Sequence, residues 1–112
     1  IECKLTKAKL KYSHKEEETM SHRYSVVLNP NGSVQSEFFY KNGLSHREGD
    51  RPSEIHYRTN GSVQCEFFYK EGQIHREGNR PADIHYEIDG SVQCEFFYKE
   101  GLLYAPNKIC AG

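Results

Sequence analysis

The stretch Asn60-Gly61-Ser62-Val63-Gln64-Cys65-Glu66-Phe67-Phe68-Tyr69-Lys70-Glu71-Gly72 decides the fold, because the chain contains it three times. The other copies are residues 31–43 and 89–101. Their equivalent glycines lie 29 residues apart (61 − 32 = 29 and 90 − 61 = 29). A period of this length is typical of repeat architectures, in which each unit is one supersecondary element stacked on its neighbours. The 112 residues are therefore predicted to form a repeat protein.

Each copy begins with a turn, which reads Pro-Asn-Gly at 30–32, Thr-Asn-Gly at 59–61 and Ile-Asp-Gly at 88–90. Pro followed by Asn and Gly is typical of a three-residue hairpin loop that ends in a left-handed glycine. Such a loop pairs Tyr57 with Val63, Ile55 with Cys65 and Ser53 with Phe67. A two-residue loop would mix apolar and polar side chains, whereas a three-residue loop separates them. The predicted apolar face carries Ile55, Tyr57, Val63, Cys65, Phe67 and Tyr69, and the polar face carries Glu54, His56, Arg58, Gln64, Glu66, Phe68 and Lys70.

The fold class predicted from these features is all-β, a single-layer antiparallel meander of stacked β-hairpin repeats with about eight strands. Residues 1–112 form one repeat domain. It comprises an N-terminal strand (7–12) and charged loop within 1–23, three hairpin repeats in 24–101, and a C-terminal cap in 102–112. The cap is predicted because Tyr104 and Ala105 replace a repeated His-Arg pair. A single layer leaves apolar surface in water, so self-association or strong curling is expected. A second turn in each unit has either two or three residues.

Charge and cysteine usage restrict the class of partner. Fifteen basic and 16 acidic residues give a net charge of −1, which favours neither nucleic acid nor an anionic membrane. No uncharged stretch is long enough to span a bilayer. Cys65 and Cys94 hold the same repeat position, about two strand spacings apart, so they should not pair with each other. Reduced thiols and a cytoplasmic location are expected.

The spacing Gly61-x-Val63-x-x-Glu66-x-x-Tyr69-x-x-Gly72 resembles the MORN repeat, and more closely the variant repeats of bacterial, phage and giant-virus proteins. Those variants have a His-Arg-Glu…Pro-Ala connector, which is similar to residues 75–82 and 46–53. The resemblance covers residues 24–106 and implies a scaffold for protein contact, with some bacterial relatives called antitoxins. A membrane role does not carry over, because the period is longer than the usual MORN unit. The aromatic residues also differ, at Phe38, Phe67 and Phe96.

The first candidate binding surface is an aromatic stripe on the predicted polar face. It consists of Phe39, Phe68 and Phe97, flanked by Glu37, Glu66 and Glu95. Apolar side chains within a charged face suit a contact with a partner or a second subunit. The alternative is that the phenylalanines pack only on neighbouring repeats.

The second candidate surface is the pair of connectors between hairpins, at residues 45–52 and 74–81, which we call the first and second connectors. They repeat His46, Arg47, His75 and Arg76 at one edge. A hydrogen-bond and ion-pair ladder that fixes the loops is one interpretation, and an edge that binds an anionic group is another. A metal site would need three or four converging ligands, and His46 and His75 are two strands apart. No catalytic residue and no cofactor are predicted, because nearly every polar residue occurs two or three times at one register.

The function expected from the sequence is a non-enzymatic protein-protein interaction module. A viral or bacterial inhibitor that sequesters a host or toxin protein would fit this description. The alternative is a structural, self-assembling repeat scaffold, whose only partner is a homo-oligomer of itself.

Overall fold

The computed structural model describes residues 21–104, and the predicted strand at 7–12 and most of the predicted cap lie outside them. These residues contain strands and turns and no helix. The strands are β1 (His22–Leu28), β2 (Val34–Lys41), β3 (Leu44–Ser45), β4 (Glu54–Tyr57), β5 (Val63–Phe67), β6 (Tyr69–Lys70), β7 (Gln73–Ile74), β8 (Asp83–Tyr86), β9 (Val92–Phe96), β10 (Tyr98–Lys99) and β11 (Leu102–Leu103).

The main sheet is an antiparallel meander in the order β1-β2-β4-β5-β8-β9, with β3 paired to β2. Two small sheets, β6-β7 and β10-β11, repeat the β2-β3 hairpin in the second and third units. The all-β hairpin meander is therefore confirmed. The structure has eleven described strands instead of about eight. Each unit forms this second hairpin, and the stretch equivalent to β2 is divided into β5 and β6 in the second unit and into β9 and β10 in the third.

The first turn of each unit is the predicted three-residue loop. In the second unit the amide of Gly61 donates to the carbonyl of Arg58 (2.9 Å), and the amide of Arg58 donates to the carbonyl of Ser62 (2.8 Å). Gly61 has a φ of +93°, which is the left-handed conformation that glycine adopts without steric cost. The Asn60 side chain accepts from the Ser62 amide and hydroxyl (2.9 and 2.7 Å). This side-chain cap stabilises the turn.

The second turn contains two residues, which answers the question that the sequence left open. Lys70 pairs with Gln73, and Glu71 and Gly72 between them have φ values of +47° and +87°. Positive φ at both central positions is the type I′ geometry preferred in tight hairpins. The same turn occurs at residues 42–43 and 100–101.

The predicted register is wrong beyond its first pair, because each long hairpin contains a β-bulge. Tyr57 pairs with Val63 as expected, but the register then shifts, and His56, not Ile55, lies opposite Cys65. Gln64 is the extra residue, because it lies between Val63 and Cys65 and has no partner on β4. An extra residue on one strand changes which side chains of the two strands share a face from that point on. The predicted apolar and polar faces are therefore both mixed.

One face, which we call the core face, carries two rows of side chains across the sheet. The first row alternates aliphatic and acidic residues. The second alternates large aromatic and small residues, and the fully buried Ser53 and Ala82 make room for buried Phe39 and Phe68. Phe68, Ala82 and Ile84 form a core cluster with Ile74, Tyr86 and Tyr98 packed against it. The first row is Val26, Glu37, Ile55, Glu66, Ile84 and Glu95.

The cysteines are in different states. Cys65 has a buried free thiol, whereas Cys94 is disulfide-bonded. The two do not pair with each other, as predicted. The expectation of a reduced thiol is confirmed for Cys65 and wrong for Cys94. Burial, with the nearby carboxylates of Asp83 and Glu54, raises the pKa of the Cys65 thiol to about 11.

Candidate functional site: the connector edge

The predicted aromatic stripe is not on a polar face. Phe39 and Phe68 lie on the core face, and only 7% and 6% of their surface is exposed. An arginine from each connector covers them. The guanidinium carbon of Arg47 lies 3.7 Å from the Phe39 ring centroid, and that of Arg76 lies 3.9 Å from the Phe68 centroid. Phe39 and Phe68 therefore hold the connectors onto the sheet and offer little surface to a partner.

The third phenylalanine of this set has a different neighbour. Phe97 is half-buried, and its ring meets Tyr104 edge-on at a centroid distance of 6.1 Å. Tyr104 occupies the place of His46 and His75. Leu102 and Leu103, just before it, are 71% and 55% exposed, so the third unit presents the most apolar part of the edge.

The acidic residues that flank the stripe accept hydrogen bonds on the core face. Glu37 accepts from the hydroxyls of Tyr24 (2.7 Å) and Tyr57 (2.6 Å), which reach it from the strands on either side. Glu66 accepts from Tyr86 (2.7 Å). Burial and the adjacent carboxylates raise the pKa of both Tyr57 and Tyr86 well above the usual range. Glu37 and Glu66 thus link strands, and Glu95 holds the equivalent position on β9.

The connector histidines join consecutive units. The His46 Nδ1 accepts from the backbone amide of Glu71 in the next unit (2.9 Å), so its Nε2 carries the proton and faces Glu48 (2.8 Å). The His75 ring repeats this arrangement with the Glu100 amide (2.9 Å) and with Glu77. Both rings are therefore neutral and serve as hydrogen-bond bridges between units.

The connector arginines close the loops. Arg47 donates to the carbonyl of Pro52 (3.1 Å), and Arg76 donates to that of Pro81 (2.9 Å). These bonds agree with the ladder that one interpretation of the connectors predicts. Arg51 bonds the backbone carbonyl of Glu48 (3.0 Å) instead of its carboxylate, and Arg80 bonds the carbonyl of Glu77 in the same way (3.2 Å).

One ion pair ties the two connectors to each other. Asp50 in the first connector accepts two bonds from Arg76 in the second (2.9 and 3.1 Å), and the Arg80 guanidinium lies 2.6 Å from it. The hydrogen bond from Arg76, with the charges of Arg76 and Arg80, lowers the pKa of Asp50. The position equivalent to Asp50 in the second connector is Asn79, so the pair occurs once.

A groove of about 100 Å³ lies between the two connectors, and we call it the connector groove. It is lined by Phe68 and Tyr69 and by charged side chains from both connectors. Five cations and two carboxylates line it, so with neutral His75 the local charge is 5 − 2 = +3. The charged residues are Arg47, Arg51, Lys70, Arg76 and Arg80, with Asp50 and Glu77.

The sequence did not reveal a ladder of rings on the other face of the sheet. His56 meets Phe38 and Phe67 edge-on at centroid distances of 5.8 and 6.0 Å, and His85 meets Phe67 and Phe96 at 6.0 and 6.2 Å. The position of His56 on the polar face predicts a surface residue. Both histidines are instead half-buried, with the Glu54 and Asp83 carboxylates 2.7 and 2.8 Å from their Nε2 atoms. The ladder could not be predicted, because it depends on the bulge that pairs His56 with Cys65, and the sequence pattern does not show that bulge.

The described residues also bear on metal binding and on membrane insertion. Within residues 21–104 no cluster of three or more His, Cys, Asp or Glu side chains could hold a metal ion. The same part of the chain contains no helix that is long and apolar enough to cross a membrane.

The fold and its edge define a class, an open antiparallel hairpin-repeat sheet with ordered polar connectors along one rim. Comparison with protein-family models, with curated proteins and with solved structures gives no match. The resemblance to the MORN repeat therefore stays a prediction that rests on the glycine, tyrosine and connector spacing.

Proposed function

We propose that this chain is a non-enzymatic protein-protein interaction module whose contact surface is the connector edge. The observation that carries the proposal is the pre-organisation of that edge. Both connectors are anchored by ring-stacked arginines, backbone-bonded histidines and the Asp50–Arg76 ion pair. A rigid loop loses little conformational entropy when a partner binds, and this raises affinity.

The residues that contact the partner in this proposal differ from those that hold the edge. Side chains such as His46 and Arg76 are engaged within the chain, whereas Arg51 is exposed at the rim. We therefore assign the contact role to the exposed connector residues and a positioning role to the histidines and stacked arginines. A module of this kind suits an inhibitor of viral or bacterial origin that sequesters another protein.

The test is affinity capture from lysate followed by binding measurements with the purified captured protein. We expect one protein to bind the wild-type chain, to be lost with Arg51→Asp, and to be retained with Ile88→Ser. Ile88 is 65% exposed and lies in a first turn, away from the connectors, so it is a matched surface control. Equal binding by wild type and by every rim variant tested, Arg51→Asp included, would refute the proposal.

A second candidate function is a self-assembling scaffold. The exposed Leu102 and Leu103 in the last described strand favour it, because an apolar repeat end suits contact with another copy. Light scattering across a wide concentration range separates the two functions. A defined oligomer that Leu102→Asp dissolves would support the scaffold, and a monomer that retains its partner would support the interaction module.

A further inference from the structure

We propose that the connector groove binds carboxylate side chains of an acidic peptide segment on the partner protein. This inference rests on the proposed function, since it names the chemistry that one part of the connector edge recognises. The groove carries a local charge of +3 in a chain whose net charge is −1. Positive charge is thus concentrated at one place, where it would steer and retain an anionic group.

Two cations of the groove have donors to spare. Within residues 21–104 the Lys70 ammonium makes no hydrogen bond or ion pair. Arg51 uses only its Nε, which donates to the Glu48 carbonyl (3.0 Å). The two Nη groups of Arg51 and the three protons of Lys70 are therefore available to an incoming acceptor. Carboxylate oxygens are suitable acceptors, because bonds between two charged groups are shorter and stronger than neutral ones.

Asp50 shows that the groove can hold a carboxylate. Arg76 grips it with two parallel bonds, and Arg80 approaches its second oxygen to 2.6 Å. This internal carboxylate neutralises part of the groove and limits its affinity for a second one. Replacing Asp50 with its repeat equivalent, asparagine, would add one unit of positive charge and would leave both guanidinium groups with unused donors.

The shape and composition of the groove favour a peptide over a nucleic acid. The two wall carboxylates, Asp50 and Glu77, would repel a continuous phosphate backbone. The half-buried Tyr69 gives apolar contact to the side-chain stems of a peptide. Separate carboxylates on a flexible peptide can reach Lys70 and Arg51 while they avoid Asp50 and Glu77.

The experiment measures binding of a labelled eight-residue glutamate-rich peptide to the full chain by fluorescence anisotropy, with the all-glutamine peptide as the ligand control. We expect Lys70→Glu and Arg51→Glu each to weaken binding by about tenfold. Arg23→Glu makes the same change in net charge at an exposed site on β1, and we expect it to weaken binding by less than about twofold. Asp50→Asn should tighten binding.

Several results would overturn the inference. Equal weakening by Lys70→Glu and Arg23→Glu would show a general charge effect without a groove site. Equal binding of the glutamine peptide would exclude carboxylate recognition, and stronger competition by inorganic phosphate than by the glutamate peptide would assign the groove to phosphate. If light scattering shows that Lys70→Glu abolishes an oligomer, the occupant is a second copy of the chain.

The captured partner distinguishes this inference from the function on which it rests. A partner that Arg51→Asp releases but that binds Lys70→Glu and Asp50→Asn like wild type leaves the interaction module standing and refutes the carboxylate groove. A partner that none of the rim variants affects refutes the proposed function itself.

Discussion

Neutralising Glu37 should destabilise the fold about twice as much as neutralising Glu66. Glu37 accepts hydrogen bonds from two tyrosine hydroxyls, at 2.7 and 2.6 Å, whereas Glu66 accepts one, at 2.7 Å. A hydrogen bond to a charged group contributes about 1.5–3 kcal/mol, and a neutral one about 0.5–1.5 kcal/mol. Each bond to the neutral amide of a glutamine should therefore be weaker by about 1–1.5 kcal/mol.

These values predict a loss of about 2–3 kcal/mol in the free energy of unfolding for Glu37→Gln and about 1–1.5 kcal/mol for Glu66→Gln. The two substitutions are matched, because both sites lie on the core face in the same row and keep the shape of the side chain. Urea denaturation followed by circular dichroism measures both values. In Tyr57→Phe, the remaining cost of Glu37→Gln should fall by about half, because one of the two bonds is already absent.

Equal destabilisation by Glu37→Gln and Glu66→Gln would refute this reasoning. It would mean that the carboxylates act through the local field of the sheet and not through counted tyrosine bonds. An undiminished effect of Glu37→Gln in the Tyr57→Phe background would also contradict it, since the double-mutant cycle would then show no coupling across β2 and β4.

Three further predictions concern the connectors and the buried thiol. The hydrogen bond from His46 lowers the pKa of Glu48 from its ordinary 4.5 to about 2. The ionised Glu48 carboxylate therefore stabilises the fold fully above pH 4.5, and this stabilisation is lost as the pH falls toward 2. Glu48→Gln should therefore flatten the acid side of the stability curve measured by urea midpoints, whereas exposed Glu71→Gln should follow wild type. Arg76→Met should lower the free energy of unfolding, measured in urea, by about 2–3 kcal/mol, because it removes the guanidinium that covers Phe68 and both bonds to Asp50. Arg80→Met, at a site whose side chain is 49% exposed, should lower it by less than about 1 kcal/mol. With a pKa of about 11, only about 0.1% of Cys65 is thiolate at pH 8, so native iodoacetamide labelling, read by mass spectrometry against Cys65→Ser, should be far slower than labelling in urea.

Local signals predicted the turns and the strand order. Asn60 and Gly61 specify the three-residue loop through one side-chain cap and one left-handed residue, and both are visible in the sequence. The 29-residue period then implies that the hairpins stack in chain order. These parts of the fold depend on contacts within a few residues, which a pattern can report.

The faces could not be predicted, because a single residue decides them. Gln64 is polar and exposed whether or not it is bulged, so its side chain gives no indication of the register shift. The error spread to the candidate site. With the bulge in place, Phe68 joins Ile55 on the core face, and a stripe expected to meet a partner becomes the support for Arg76.

The groove depends on departures from the repeat, although the repeat dominates the sequence. Arg47 and Arg76 stack on their phenylalanines in the same way, and His46 and His75 bond the next unit in the same way, so these residues build identical junctions. Asp50 departs from this symmetry, because its repeat equivalent is an asparagine. A residue needed in every unit maintains the stack, whereas a residue present once can give one junction a property that the others lack. Asp50 sets how much positive charge the connector groove exposes, and its neutralisation should therefore tighten the binding of carboxylates there.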